Sequence, residues 1–116
     1  SAPGMGPAGF SHVVLFDYDS FVVRADARPV IEAHARFLQA NRQRKAMLEG
    51  HTDERGGREY NLALGQKRAE AVQRALVLLG VPESQVEAVS YGKEKPAAQG
   101  ADEAAFAKNR RVEFKY

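Results

Sequence analysis

The stretch Gly50-His51-Thr52-Asp53-Glu54-Arg55-Gly56-Gly57-Arg58-Glu59-Tyr60-Asn61-Leu62-Ala63-Leu64-Gly65-Gln66-Lys67-Arg68-Ala69 decides how this chain is read. Its first residue closes a short run in which Ala46, Leu48 and Gly50 alternate with Met47 and Glu49, the period of a strand. His51 to Gly57 carries Thr, Asp and two consecutive glycines, the composition of a loop. From Glu59 the apolar positions Leu62, Ala69, Val72, Leu76 and Leu79 recur at the helical period, and Gly80-Val81-Pro82 supplies a stop signal. A strand, a polar loop and a helix over Glu59 to Leu79 are therefore predicted in sequence.

Upstream, His12-Val13-Val14-Leu15-Phe16 is short, β-branched and aromatic, and it runs into Asp17, Asp19 and Ser20, as a buried strand entering a loop does. Between Asp26 and Gln39, Val30, Ile31, His34, Phe37 and Leu38 recur at three- and four-residue steps; Asp26 is the expected N-cap and Pro29 lies in the first turn. Downstream, Val86 to Tyr91 alternates. So does Val112 to Tyr116, with Val112, Phe114 and Tyr116 on one face and Arg111, Glu113 and Lys115 on the other. Asp102 to Lys108 has the composition of a short helix. The order predicts an α+β fold, a four-stranded mixed sheet with two long helices on one face and a short helix before the last strand. Ser1 to Gly9, with three Gly and two Pro, reads as a flexible linker or an expression remnant, leaving 10–116 as one domain.

The totals narrow the function classes. At 116 residues with 44% apolar and 28% charged side chains, the chain has enough core for one stable domain. A net charge of +2, with acids and bases interleaved, lacks the one-sided excess of a nucleic-acid binder; Arg42, Arg44 and Lys45, and Asn109-Arg110-Arg111, are the only basic clusters. Without cysteine there is no disulfide, thiolate metal site or Cys nucleophile. The longest apolar runs, Val13 to Phe16 and Ala75 to Leu79, are too short to cross a bilayer.

The second long helix carries the most informative geometry. Residues seven apart on a helix are offset by about 20°, and residues eighteen apart coincide. Asn61, Arg68, Val72 and Leu79 should then lie nearly on one line, apolar toward its C-terminal end and polar toward its N-terminal end. An amide and a guanidinium at the edge of a core need partners. One reading is structural: Arg68 pairs with Asp17, Asp19, Asp53 or a carbonyl and ties the helix to a loop. The other is a pocket in which Arg68 forks onto a ligand carboxylate while a nearby Asp takes a ligand ammonium, together complementary to a zwitterionic amino-acid end.

The run from Gly50 to Ala69 resembles the signature of the OmpA-like C-terminal domain family: GHTD, then G, N, L and RA at fixed intervals. Phe16-Asp17-Tyr18-Asp19-Ser20 is similar to the family's entry motif and Asn109-Arg110-Arg111-Val112-Glu113 to its last-strand motif. Ser90 to Pro96, Asp102 to Ala105 and Lys108 to Arg111 resemble its lipid-anchored branch more than its porin-linked or flagellar-stator members. The resemblance implies non-covalent binding of peptidoglycan through the diaminopimelate of the stem peptide. Asp53 would meet the ammonium and Arg68 the carboxylate. Asn61 would order the loop and touch the peptide, and Asp17, Asp19, Leu64 and Arg111 would line the pocket. It also implies a lipidated Cys upstream of Ser1, holding the domain at the periplasmic face of the outer membrane of a Gram-negative bacterium, and the periplasmic β-propeller protein TolB as partner within a Tol-Pal system. Glu54, Arg55 and Tyr60 are the candidate contacts for that partner. Where this chain has Gly57-Arg58, members of the lipid-anchored branch often have Thr-Pro.

An enzyme reading would rest on His51-Thr52-Asp53 with Asp17, Asp19 and Glu54. A zinc site needs three or four convergent ligands, yet the three histidines fall on a strand, a helix face and a loop. His34 reads as a satisfied boundary histidine, His12 as packing, and His51 as shaping the loop. Ser20, Ser84 and Ser90 have no neighbouring His and no nucleophile-elbow motif. The expectation is no catalysis, no metal and no cofactor. The alternative within the family is an interaction domain that acts mainly by holding a periplasmic protein such as TolB.

Overall fold

A computed structural model describes residues 6–116. The elements run β1 (Val13–Leu15), α1 (Arg28–Ala40), β2 (Ala46–His51), α2 (Arg58–Leu78), β3 (Val86–Gly92), α3 (Glu103–Asn109) and β4 (Arg111–Lys115), with single 3-10 turns at Ala25–Ala27 and Glu83–Gln85. The four strands form one mixed sheet in the order β1-β4-β2-β3. β2 and β3 are parallel, joined by the α2 crossover, while the last strand inserts antiparallel between β1 and β2. The α+β architecture expected from the sequence is thus the one observed.

α1 and α2 cover one face. Ile31, Ala35 and Leu38 from α1 and Ala69, Val72 and Leu76 from α2 close over Val14, Leu48, Val112 and Phe114 of the sheet. The other face has no helical layer, and Val13 and Leu15 are exposed there. No described helix is long and apolar enough to cross a membrane.

Several boundaries differ from expectation for physical reasons. β1 is only three residues long, but Phe16 N donates to Arg110 O at 2.8 Å and Phe114 N to His12 O at 2.8 Å, so pairing continues beyond both ends. Asp26 does not cap α1; it pairs with Arg24 at 2.8 Å, and the helix begins after the 3-10 turn. α2 ends at Leu78, which leaves Leu79 outside the helix and exposed, so the buried stripe is Asn61, Leu64, Gly65, Arg68, Ala69, Val72 and Leu76. Of the expected linker, residues 1–5 lie outside the described residues, and Gly6 is buried beside Tyr116 and His12.

One contact fixes how closely α2 approaches the sheet. A Cβ added to Gly50 would sit 1.8 Å from the Gly65 carbonyl oxygen, and one added to Gly65 would sit 2.3 Å from Ser90 Oγ. Backbone therefore touches backbone where β2 crosses α2, and only glycine fits on either side. The next turn of α2 presents Arg68 just beyond the C-terminal end of β2.

Candidate functional site

Arg68 is the largest fully buried side chain among the described residues. Its Nε donates to Ser20 O at 2.7 Å, Nη1 to His51 O at 2.9 Å and Nη2 to Asp17 O at 3.1 Å. One guanidinium thus binds the entry loop and the end of β2 to α2. Three of the five N–H groups of an arginine are satisfied this way, and among the described residues no carboxylate lies within ion-pair distance. Burial, and then the neighbouring Arg110, lower its pKa to about 10, which leaves it protonated at neutral pH. A buried cation hydrogen-bonded only to carbonyls, with the Asp53 and Asp19 charges near but not paired to it, can take up a further anion.

Beside it opens a cleft of about 90 Å³ lined by Tyr18, Asp19, Asp53, Tyr60, Leu64 and Arg68, with Asn61 and the loop backbone completing it. Asn61 is buried and its Nδ2 donates to Arg55 O at 2.8 Å, which pins the loop to the first turn of α2. Lys93 Nζ donates to Gly56 O at 2.8 Å and Arg58 pairs with Glu94, so the far side of the loop is tied to the segment after β3.

Asp53 is buried but already partnered. Its carboxylate accepts from Arg55 N at 3.0 Å, Arg55 Nε at 3.2 Å, Arg55 Nη2 at 2.8 Å and Arg110 Nη1 at 3.5 Å. Burial pushes its pKa up, but the hydrogen bonds and charge of Arg55, with Arg110 behind, outweigh that and hold it below the usual carboxylate value. Arg55 is itself clamped, its guanidinium carbon 4.3 Å from the ring centres of both Tyr18 and Phe106. Asp19 is the less committed carboxylate: it accepts a hydrogen bond from the Tyr60 hydroxyl and makes no ion pair.

Two expected pocket residues do not reach the cleft with their side chains. The Asp17 carboxylate is exposed and faces Arg24 at 3.5 Å; only its carbonyl takes part, through Arg68. Arg111 lies on the opposite side of the sheet, bonded to Glu113 at 2.5 Å and to the Lys95 carbonyl at 2.9 Å. Of the two arginines in the last-strand motif, it is Arg110 that joins Arg55 at Asp53, and it also donates to Phe16 O at 3.0 Å and Glu103 at 2.9 Å. Asn109 completes that motif by folding the preceding loop, accepting from Ala97 N and Ala98 N at 2.7 and 2.9 Å. Arg110, Tyr18 and Phe106 are the site residues that the sequence reading missed.

The histidines separate in the same way. His34 stacks on Phe114 at 3.8 Å and is bonded through both ring nitrogens, to the Tyr116 hydroxyl at 2.6 Å and Ser11 O at 2.8 Å, as a satisfied boundary histidine should be. His51 does not shape the loop through its ring. Its carbonyl holds Arg68, while the imidazole lies on the uncovered face of the sheet, stacked on Tyr91 at 5.6 Å.

Of the residues expected to meet a partner, Tyr60 is 57% exposed and stands with Tyr18, 62% exposed, at the mouth of the cleft. Glu54 is exposed on the same loop, and Arg55 is half-exposed despite its bond to Asp53.

Residues 15–110 match the model of the OmpA family. The chain is 57% identical over 100 residues to the peptidoglycan-associated lipoprotein of Pseudomonas aeruginosa, covering 86% of this chain and 59% of that one. It is 49% identical over 105 residues to the protein of that name from Pasteurella multocida, covering 90% of this chain and 70% of the other. Among solved structures it resembles the peptidoglycan-associated lipoprotein of Burkholderia pseudomallei, with a TM-score of 0.90 at 55% identity over 91% of this chain and 90% of that one. The chain spans 59 and 60% of the lengths of the two Pseudomonas relatives.

Proposed function

The chain belongs to the OmpA family, and from that premise we propose that it binds peptidoglycan non-covalently through the free end of diaminopimelate in the stem peptide. The observation that carries this reading is Arg68, a buried, protonated guanidinium with no carboxylate partner at the wall of a small polar cleft. A ligand carboxylate supplies the missing counter-charge through the two N–H groups left over. The ammonium of the same amino-acid end turns to the acidic side of the cleft, where Asp53 and Asp19 lie. Because Arg55 and Arg110 already hold Asp53, the ammonium either displaces Arg55 from its aromatic clamp or is shared with Asp19. Asn61 and Leu64 form the wall against which the peptide stem rests.

The names of its relatives support this class of ligand, and they extend the proposal to the whole protein: a lipid-anchored periplasmic tether between the outer membrane and the cell wall. A second reading is supported by the exposed Tyr18 and Tyr60 at the cleft mouth. Paired aromatic side chains beside a polar pocket are the residues that dominate protein interfaces. Through them the domain engages a periplasmic protein such as TolB, in competition with the wall.

The test is a titration with a diaminopimelate-containing muropeptide. Arg68→Lys keeps the charge but not the fork, and Asp53→Asn removes the anion. Each should weaken binding about tenfold or more while circular dichroism stays native, since a charged hydrogen bond contributes roughly 1.5–3 kcal/mol. Affinity should also fall with added salt. Wild-type affinity in both folded variants would remove the cleft from consideration.

A further inference from the structure

The uncovered face of the sheet holds a cluster that the cleft does not use. In the antiparallel pairing of β2 with β4, Glu49 stands directly opposite Glu113. Like charges in that position repel. Arg111 and Lys115 flank Glu113 at 2.5 and 3.1 Å, but among the described residues the only basic nitrogen within 4 Å of Glu49 is Nε2 of the His51 imidazole, 3.8 Å from Oε1, on a ring that burial and the nearby cations keep neutral at pH 7. His51 is 1% exposed, and neither of its ring nitrogens has a hydrogen-bond partner. A buried imidazole with both nitrogens unsatisfied, aimed at two carboxylates, is an exception that calls for a ligand.

We propose that Glu49, His51 and Glu113 form a binding site for a divalent transition-metal ion of the zinc class, with one nitrogen and two oxygen ligands and the fourth position left to solvent. One donor atom from each residue already lies within 4.8 Å of the others. Bonds of about 2.0–2.1 Å in a tetrahedron put donors roughly 3.3 Å apart. The Glu49 and Glu113 side chains are 15 and 20% exposed, and turning about their own side-chain bonds would close that gap. Glu113 has an oxygen to give: Arg111 holds Oε2, whereas Oε1 faces Lys115, whose half-exposed ammonium can swing into water. Arg111 is anchored in turn by the Lys95 and Asn109 carbonyls at 2.9 and 3.3 Å, so it orients the Glu113 carboxylate from behind, as groups outside a metal's own ligands commonly do. Tyr91 lies alongside the imidazole, the two ring planes within 20° of parallel and their centres 5.6 Å apart. The histidine count had argued against a metal because the three histidines are dispersed, but strand pairing brings carboxylates, not histidines, to His51.

The experiment is equilibrium dialysis of the 116-residue chain against zinc, with the metal counted per chain, alongside the absorption spectrum of the cobalt-loaded protein. The variants are His51→Ala, Glu49→Gln and, as a control, His12→Ala. The expected result is one ion per chain and tetrahedral cobalt bands. Affinity should fall about 100-fold or more in His51→Ala and at least tenfold in Glu49→Gln, and stay unchanged in His12→Ala. Glu49→Gln is isosteric at a partly exposed position, so it reports on the site even where His51→Ala fails to fold. Absence of stoichiometric zinc, affinity unchanged in Glu49→Gln, or loss in His12→Ala would each overturn the proposal.

Discussion

At the scale of single residues, the two readings of Arg68 open in the sequence describe one side chain doing two jobs. The carbonyl tie is observed, and it is what positions the guanidinium beside the cleft with N–H groups to spare. Arg111 is more instructive, because the sequence already held its answer. Val112, Phe114 and Tyr116 face inward, so strand parity puts Arg110 in phase with them and Arg111 with Glu113 and Lys115 on the far face. The motif drew attention to the pair, and the alternation chooses between its members. His34 gives a prediction at this scale. Burial chiefly, against a hydrogen bond to Ser11 and aided by the charge of His12, lowers its pKa to about 4 from the ordinary 6.5. The unfolded chain therefore takes up a proton near pH 6.5 while the native state waits until about pH 4. Stability contributed by neutral His34 is complete above pH 6.5 and is lost as pH falls through that window, by up to about 3 kcal/mol. Urea denaturation between pH 7 and pH 4 should show this slope, and His34→Phe, which keeps the stack on Phe114, should reduce it by about half, the remainder coming from His51, whose pKa burial and then Arg111 also lower to about 4.

At the scale of elements, the type and order of every strand and α-helix could be read from period and composition, whereas ends could not. α2 illustrates the limit. A helical line drawn through Val72 to Leu79 assumes that the helix continues, but the chain leaves it at Leu78, and Val81 rather than Leu79 returns to the core. Nothing in the pattern shows that Gly65 is a contact point, since a glycine within a helix usually reads only as a weak spot. Its meaning comes from Gly50, fifteen positions earlier, which presses against it. Gly65→Ala should accordingly be destabilising, by about 1–2 kcal/mol, although alanine is the better helix former. Because α2 must then lift off β2, the same variant should lose muropeptide affinity, measured by titration at a temperature where it remains folded. If Gly65→Ala raised the urea midpoint, the backbone contact would carry no weight.

At the scale of the whole molecule, the sheet is assembled out of sequence order. β4 is made last yet lies inside, bonded to β1 on one side and β2 on the other, so β1 touches no strand but β4. Topology of this kind was the part of the fold least legible from local pattern: the order of elements predicts the layers, without saying which strands are neighbours. The site inherits the same dependence. Arg110, at the start of β4, reaches back to the Phe16 carbonyl after β1 and to Asp53 after β2. Removing residues 111–116 should therefore abolish cooperative unfolding altogether, leaving a chain without the near-ultraviolet circular dichroism of packed aromatics. A shortened chain with a sharp thermal transition would contradict this.

The insertion of β4 also sets a clock. Before β4 is seated, β2, α2 and β3 can begin to associate, but β1 has no strand to pair with and part of the hydrophobic face has no floor. Folding is consequently gated by residues 111–115: the step that seats them closes the sheet and assembles the cleft together.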